Sequence, residues 1–113
     1  MELLTVMVII GLLAAIAYPM YAEQLRKSKR AAARVAILQT SVLLERYYTL
    51  NNRYTTALGA AVGHYDITVT NLTPQTFLIT AHPRFQDGQC SDYTYDHLGT
   101  KTVTGTAGNA YCW

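Results

Sequence analysis

Charge is scarce in this chain: Asp, Glu, Lys and Arg together make up only 14% of its 113 residues, and the formal net charge is +2. A balance that small does not by itself imply a polyanion partner. Cysteine is scarcer still, with Cys90 and Cys112 alone and no CxxC pair, so a thiolate metal site is disfavoured. The three histidines, His64, His82 and His97, share no metal-ligand spacing, and each reads as a surface or turn residue. No GxSxG, no HExxH, no phosphate-binding glycine loop and no Cys-His-Asn set occurs. The sequence therefore predicts neither an enzyme nor a bound metal or cofactor.

What the chain does have is unevenly placed. Half of its residues are apolar, and the densest run opens the sequence. Leu3 to Tyr18 reads LLTVMVIIGLLAAIAY without a charge, about 24 Å as a helix, slightly short of a bilayer core. A signal-peptide core, a buried helix and a membrane span that lacks its first few residues are the competing readings. The flanks disfavour cleavage, because Glu2 precedes the run where a basic segment belongs, and Tyr18-Pro19-Met20-Tyr21 follows it. Charge divides the same way. From Met20 to Asn51 six basic residues face two glutamates, whereas from Asn52 onward three face four aspartates. An anchor, a basic stem and a nearly neutral head are expected.

From residue 22 to 51 no Pro or Gly interrupts a segment rich in Ala, Leu, Arg and Glu, so the helix should continue through Pro19, which bends it without ending it. Ala31, Val35, Leu38 and Val42 make one helical stripe, with Ala32, Ala36, Leu43, Tyr47 and Leu50 alongside. This face is expected to cover a sheet. Ile37, Leu44 and Tyr48 fall on the opposite side and suggest a second contact, with a neighbouring subunit as candidate. After a loop over 52–64, alternation replaces the helical period. Strands are predicted at Tyr65–Thr70, Phe77–Ala81, Tyr93–Leu98 and Lys101–Thr104, with turns at Asn71–Gln75 and Gly99-Thr100. The fold class is α+β, a long N-terminal helix laid across a four-stranded antiparallel sheet in residues 65–113. Cys90 and Cys112, close together in so small a head, suit one disulfide in an oxidising compartment, with two unpaired buried thiols as the alternative.

The segment from Glu2 to Pro19 resembles the N-terminal signature of type IV pilins. A lone glutamate heads an apolar run, Gly11 lies midway, and Leu13-Ala14-Ala15-Ile16-Ala17-Tyr18-Pro19 closes it. Glu45-Arg46-Tyr47-Tyr48-Thr49, Asn51 to Tyr54 and Cys112-Trp113 are similar to the small PilE-like minor pilins. The resemblance implies a ladle-shaped subunit, residues 1–21 serving as membrane anchor and filament core and residues 22–113 as the head. It implies a single-pass inner-membrane protein with a periplasmic head that passes, through prepilin peptidase and the assembly machinery, into an extracellular pilus. Twitching motility, adhesion and DNA uptake are the roles implied. Pilin precursors carry a short basic leader and a methylated phenylalanine ahead of the glutamate, so this sequence is expected to start just inside the mature chain. The leader is expected to set orientation, since Arg26 to Arg34 alone would place the head inside.

Glu2 is the most informative residue, because a carboxylate at the edge of hydrocarbon needs a partner. The resemblance supplies one, the N-terminal amine of an adjacent subunit, and makes Glu2 an assembly residue. Gly11 and Pro19 are implied as points where the helix can loosen in the filament. Arg26, Lys27, Arg30 and Arg34 form a basic row expected to meet anionic lipid headgroups, with Glu23 pairing Lys27. DNA is a second candidate partner, not the favoured one, through that row or through Arg84 and Lys101 on the head. Tyr65, Phe77, Tyr93 and Tyr95, which could stack on bases, read instead as core. Asn71-Leu72-Thr73 matches a glycosylation sequon. The alternatives to a pilus subunit are a competence pilin that binds DNA through its head, a type II secretion pseudopilin and an unrelated membrane-anchored domain.

Overall fold

A computed structural model describes the whole chain except residues 71 and 72, and the backbone alone at residues 60–62. One helix, α1 (Glu2–Asn51), runs unbroken through Pro19. At about 1.5 Å per residue its 50 residues account for the 75 Å long axis of the molecule, which is only 24 × 17 Å across. Asn52 ends α1 with a left-handed φ of 57°, its amide donating to the Tyr48 carbonyl at 2.7 Å. Asparagine tolerates this conformation, which lets it close a helix where glycine is the commoner choice.

Five strands follow, β1 (Ala60–Val62), β2 (Tyr65–Thr70), β3 (Leu78–Pro83), β4 (Tyr93–Asp96) and β5 (Lys101–Val103), paired antiparallel in sequence order. The four expected strands are present in the expected order. β1 is an addition: the segment 52–64, expected to be loop throughout, contains a short edge strand that pairs Ala60 with Ile67. The turn expected at Asn71–Gln75 and the sequon lie partly outside the described residues. Register aligns the inward side chains in rows, Ile67 opposite Ala81 opposite Tyr93, and Val69 opposite Ile79 opposite Tyr95. Because strand side chains alternate between faces, this register puts Tyr65, Ile67, Val69, Ile79, Ala81 and Tyr93 on the side that meets α1 and leaves Leu78 on the other.

The stem meets that face differently from the expectation. Ala33, Ala36, Ile37, Ser41 and Leu44 are buried against the sheet, and Val35, Leu38, Val42, Leu43 and Leu50 are exposed. Of the face read as core, Ala36 is buried but Val35, Leu38 and Val42 point outward, and Ile37 and Leu44, read as the outer side, are fully enclosed. Size explains the choice. Ala33, Ala36 and Ser41 let the helix axis approach the sheet closely, so that Ile37 and Leu44 join Tyr65, Ile67, Ile79 and Tyr93 in one buried core. The bulkier stripe would hold the two layers apart.

A short helix, α2 (Asn109–Cys112), which the sequence reading missed, brings Cys112 to Cys90, and the two form a disulfide with Cα atoms 5.7 Å apart. The connection back from β5 passes so close to residue 89 that a Cβ on Gly105 would lie 2.2 Å from the Gln89 carbonyl oxygen. Only glycine fits there, and its amide donates to the Cys90 carbonyl at 3.0 Å. The same terminal segment packs against β5. The Val103 amide donates to Asn109 Oδ1 at 2.8 Å, and Trp113 Nε1 donates to the Thr102 carbonyl at 2.9 Å.

A bare apolar helix and a basic pocket at the foot of the head

The first part of α1 touches nothing. From Leu3 to Tyr21 every side chain is exposed, including Leu3, Leu4, Ile9, Ile10, Leu12, Leu13 and Ile16, and the segment is long and apolar enough to cross a membrane. No soluble protein gains by leaving so continuous an apolar surface in water. Glu2 stands in the first turn of this helix, where its charge also complements the exposed amides of the helix N-terminus. Gly11 has open space around it and Pro19 sits inside the continuous helix, so neither is constrained by packing.

The outer stripe prolongs that apolar surface onto the stem, where Val35, Leu38, Gln39, Val42 and Leu43 line a shallow groove. The head thus turns its sheet-covering helix face inward and a second apolar face outward on the same helix.

The basic row does not act as one unit. Arg30 is buried, and its guanidinium donates to both carboxylate oxygens of Asp87, at 2.9 and 2.7 Å, and to Gln89 Oε1 at 3.1 Å. Asp87 Oδ1 also accepts the Cys90 amide at 3.3 Å. Burial alone would raise the Asp87 carboxyl, but the Arg30 hydrogen bonds and nearby backbone amides outweigh it and hold the group below the usual carboxylate range. The Asp87 carboxylate in turn pushes the Arg30 guanidinium further above its ordinary value. Arg34 donates to the Cys112 carbonyl at 2.8 Å. Of the four residues expected to meet headgroups, Arg30 is instead enclosed, and Arg34 gives one donor to the C-terminal segment. The expected Glu23–Lys27 pair is replaced by Glu23–Arg26 at 3.3 Å. Lys27, Arg30, Arg34, Tyr111 and Cys112 line a depression of about 200 Å³ at the foot of the head.

The family model for the type IV minor pilin ComP, DNA uptake sequence receptor, matches residues 19–94, more than half of the chain. The chain belongs to that family. Among solved structures, the Neisseria meningitidis non-core minor pilin PilV is 21% identical over 79% of this chain and 94% of its own, with a TM-score of 0.64. A type IV pilin from Shewanella oneidensis is 22% identical over 77% of this chain and 96% of its own, with a TM-score of 0.60. At such identity these two matches establish the fold. No curated protein matches the chain.

In this minor pilin the aromatic residues read as core are core. Tyr65, Phe77 and Tyr93 are buried, and Tyr95 packs against them. Burial raises the Tyr65 and Tyr93 hydroxyls above their usual range. Arg84 is half-exposed, 3.4 Å from Asp66 and donating to the Gly63 carbonyl at 2.7 Å, and Lys101 lies over the Trp113 ring at 5.5 Å. The structure does not bring these two cations together with the stem row by any contact among the described residues. Tyr111 and Asp87 are the residues that sequence reasoning missed. Asp87 carried no local signal, because its partner is 57 positions away. No cluster of metal-ligating side chains occurs among the described residues.

Proposed function

We propose that this minor pilin is held by residues 1–21 in the inner membrane with its head in the periplasm, and is then drawn by the assembly machinery into an extracellular type IV pilus. The observation that carries the reading is the division of one helix into a bare apolar half and a half packed on a sheet, continued by an apolar groove on its outer face. Neighbouring apolar helices are the occupants that would remove both surfaces from water. Glu2 is the assembly residue, paired in the filament with the N-terminal amine of an adjacent subunit, and Gly11 and Pro19 are the positions where the helix yields under load.

DNA capture is the second reading, and membership in a family described as a DNA uptake sequence receptor favours it. Surface charge agrees better than the sequence count suggested. With Asp87 sealed against Arg30, the exposed head beyond Asn52 sets Arg53, Arg84 and Lys101 against Asp66, Asp92 and Asp96, and stands beside a stem where Lys27, Lys29 and Arg46 outnumber Glu45. The test is quantitative mass spectrometry of sheared filaments from wild-type cells and from a strain lacking the gene, with DNA uptake measured in both. Trace abundance in filaments together with lost uptake is the expected result. Absence from filaments that form normally would end the pilus-subunit reading.

A further inference from the structure

The depression between α1 and α2 holds positive charge that the fold itself does not use. Lys27, Arg30 and Arg34 recur at i, i+3 and i+7, which places them on one face of α1, and α2 closes the other wall with Tyr111. The charge of Arg30 is balanced by Asp87, and its guanidinium lies 5.8 Å over the Tyr111 ring. Arg34 gives one donor to the Cys112 carbonyl and keeps the rest of its fork. Lys27 has no ion pair among the described residues, because Glu23, the acid one turn below, is engaged by Arg26. No carboxylate lines the cavity among the described residues. The result is a concave seat, about 200 Å³, with a lysine on one rim, an arginine fork on the other and a half-exposed tyrosine ring between them.

We infer that this seat takes one backbone phosphate of duplex DNA, an inference that rests on the DNA-capture reading above. A phosphate group fits within the seat and is the anion that a lysine and an arginine fork recognise in common. Its source is set by height. At about 1.5 Å per residue, Lys27 stands roughly 9 Å and Arg30 and Arg34 roughly 14 to 20 Å beyond residue 21, whereas a headgroup layer is only about 5 to 8 Å thick. A lipid phosphate stays below the seat, and a polymer approaching the head from solution does not. Lys101, stacked on Trp113 next to the pocket residue Cys112, offers a further cation beyond the seat.

The test uses the full chain in detergent micelles, with a fluorescent duplex read by anisotropy across a salt series. Lys27→Gln is the first variant, since Lys27 is exposed and has no bond that holds the fold among the described residues, and Lys29→Gln, over the Phe85 ring outside the seat, is the comparison for a general loss of stem charge. Lys27→Gln is expected to weaken binding several-fold for every sequence tested and to lower the slope of log affinity against log salt by about one, with Lys29→Gln having less effect. Inorganic phosphate at tens of millimolar should compete in the wild type more than in Lys27→Gln. Duplex binding whose slope is unchanged in both Lys27→Gln and Arg34→Gln would overturn the seat while leaving DNA capture standing. Binding of phosphatidylglycerol nanodiscs that depends on Lys27, without duplex binding, would reassign the seat to lipid. Binding of neither would remove both the seat and DNA capture, and leave the filament reading untouched.

Discussion

Arg30 and Asp87, 57 positions apart in the chain, meet through two hydrogen bonds of 2.9 and 2.7 Å inside the head. The pair ties the stem helix to the loop that presents Cys90, whose amide shares the same carboxylate. Removing one partner leaves the other buried without compensation. Arg30→Met is therefore expected to destabilise the head by about 3 to 5 kcal/mol, and the double change Arg30→Met with Asp87→Leu by much less than the two single changes combined. Chemical denaturation of the three variants measures the coupling.

The pH dependence follows from the direction of each shift. Asp87 has a folded-state pKa below its ordinary value of 3.8, so its stabilisation is complete above that value and is lost as pH falls through the folded pKa. Tyr54 shifts the other way, pushed up to about 12 by burial and by the Glu45 carboxylate that accepts its hydroxyl at 3.0 Å. Its stabilisation is present below 10 and lost as pH rises from there toward 12. Thermal melts across the range should show both limbs, with Asp87→Asn flattening the acid limb and Tyr54→Phe the alkaline one.

Opposite faces of the stem should respond oppositely. Ile37→Ala and Leu44→Ala, which empty enclosed sites, are expected to cost about 2 to 5 kcal/mol each. Val35→Ser and Val42→Ser, at exposed positions, should leave the head's stability within about 0.5 kcal/mol yet lower the amount of protein recovered in sheared filaments. Unchanged filament recovery for the second pair would show that the outer groove is not an assembly surface.

Closing the 22-residue separation between Cys90 and Cys112 should contribute on the order of 3 kcal/mol in the chain-entropy model. Thiol labelling of unfolded, unreduced protein should modify neither cysteine. The Cys90→Ser, Cys112→Ser double variant should unfold at correspondingly lower denaturant. Gly105→Ala is expected to destabilise the same region, because its added methyl would meet the Gln89 carbonyl.

The elements of this fold were legible where a local pattern fixes them. The uncharged run at Leu3–Tyr18, the uninterrupted stem and the alternation at Tyr65–Thr70 each state their own period. Which stem face is buried was not legible, because both faces are apolar, and hydrophobicity alone favours the bulkier stripe through Val35 and Val42. The sheet instead took the face where Ala33, Ala36 and Ser41 permit close approach, a criterion that only the facing layer can apply. Arg30 was misread for a related reason. Within a row of cations nothing local separates the one that is enclosed from those in water, and its distinguishing partner Asp87 lies across the fold. β1 was missed because its three residues give alternation too few positions to register, and α2 because four residues carry no helical period.

The hold of Asn109 and Trp113 on β5 limits how copies of this head can join. Polymers that grow by strand addition need two open edges on every copy, one to receive and one to give. With the Val103 amide already taken by Asn109, strand addition at β5 has to displace the protein's own chain, and pairing through β1 alone gives a dimer and not a fibre. Crowding these heads along a filament therefore carries little danger of fusing their sheets. The exposed apolar face of α1 is the surface this leaves for contact between copies.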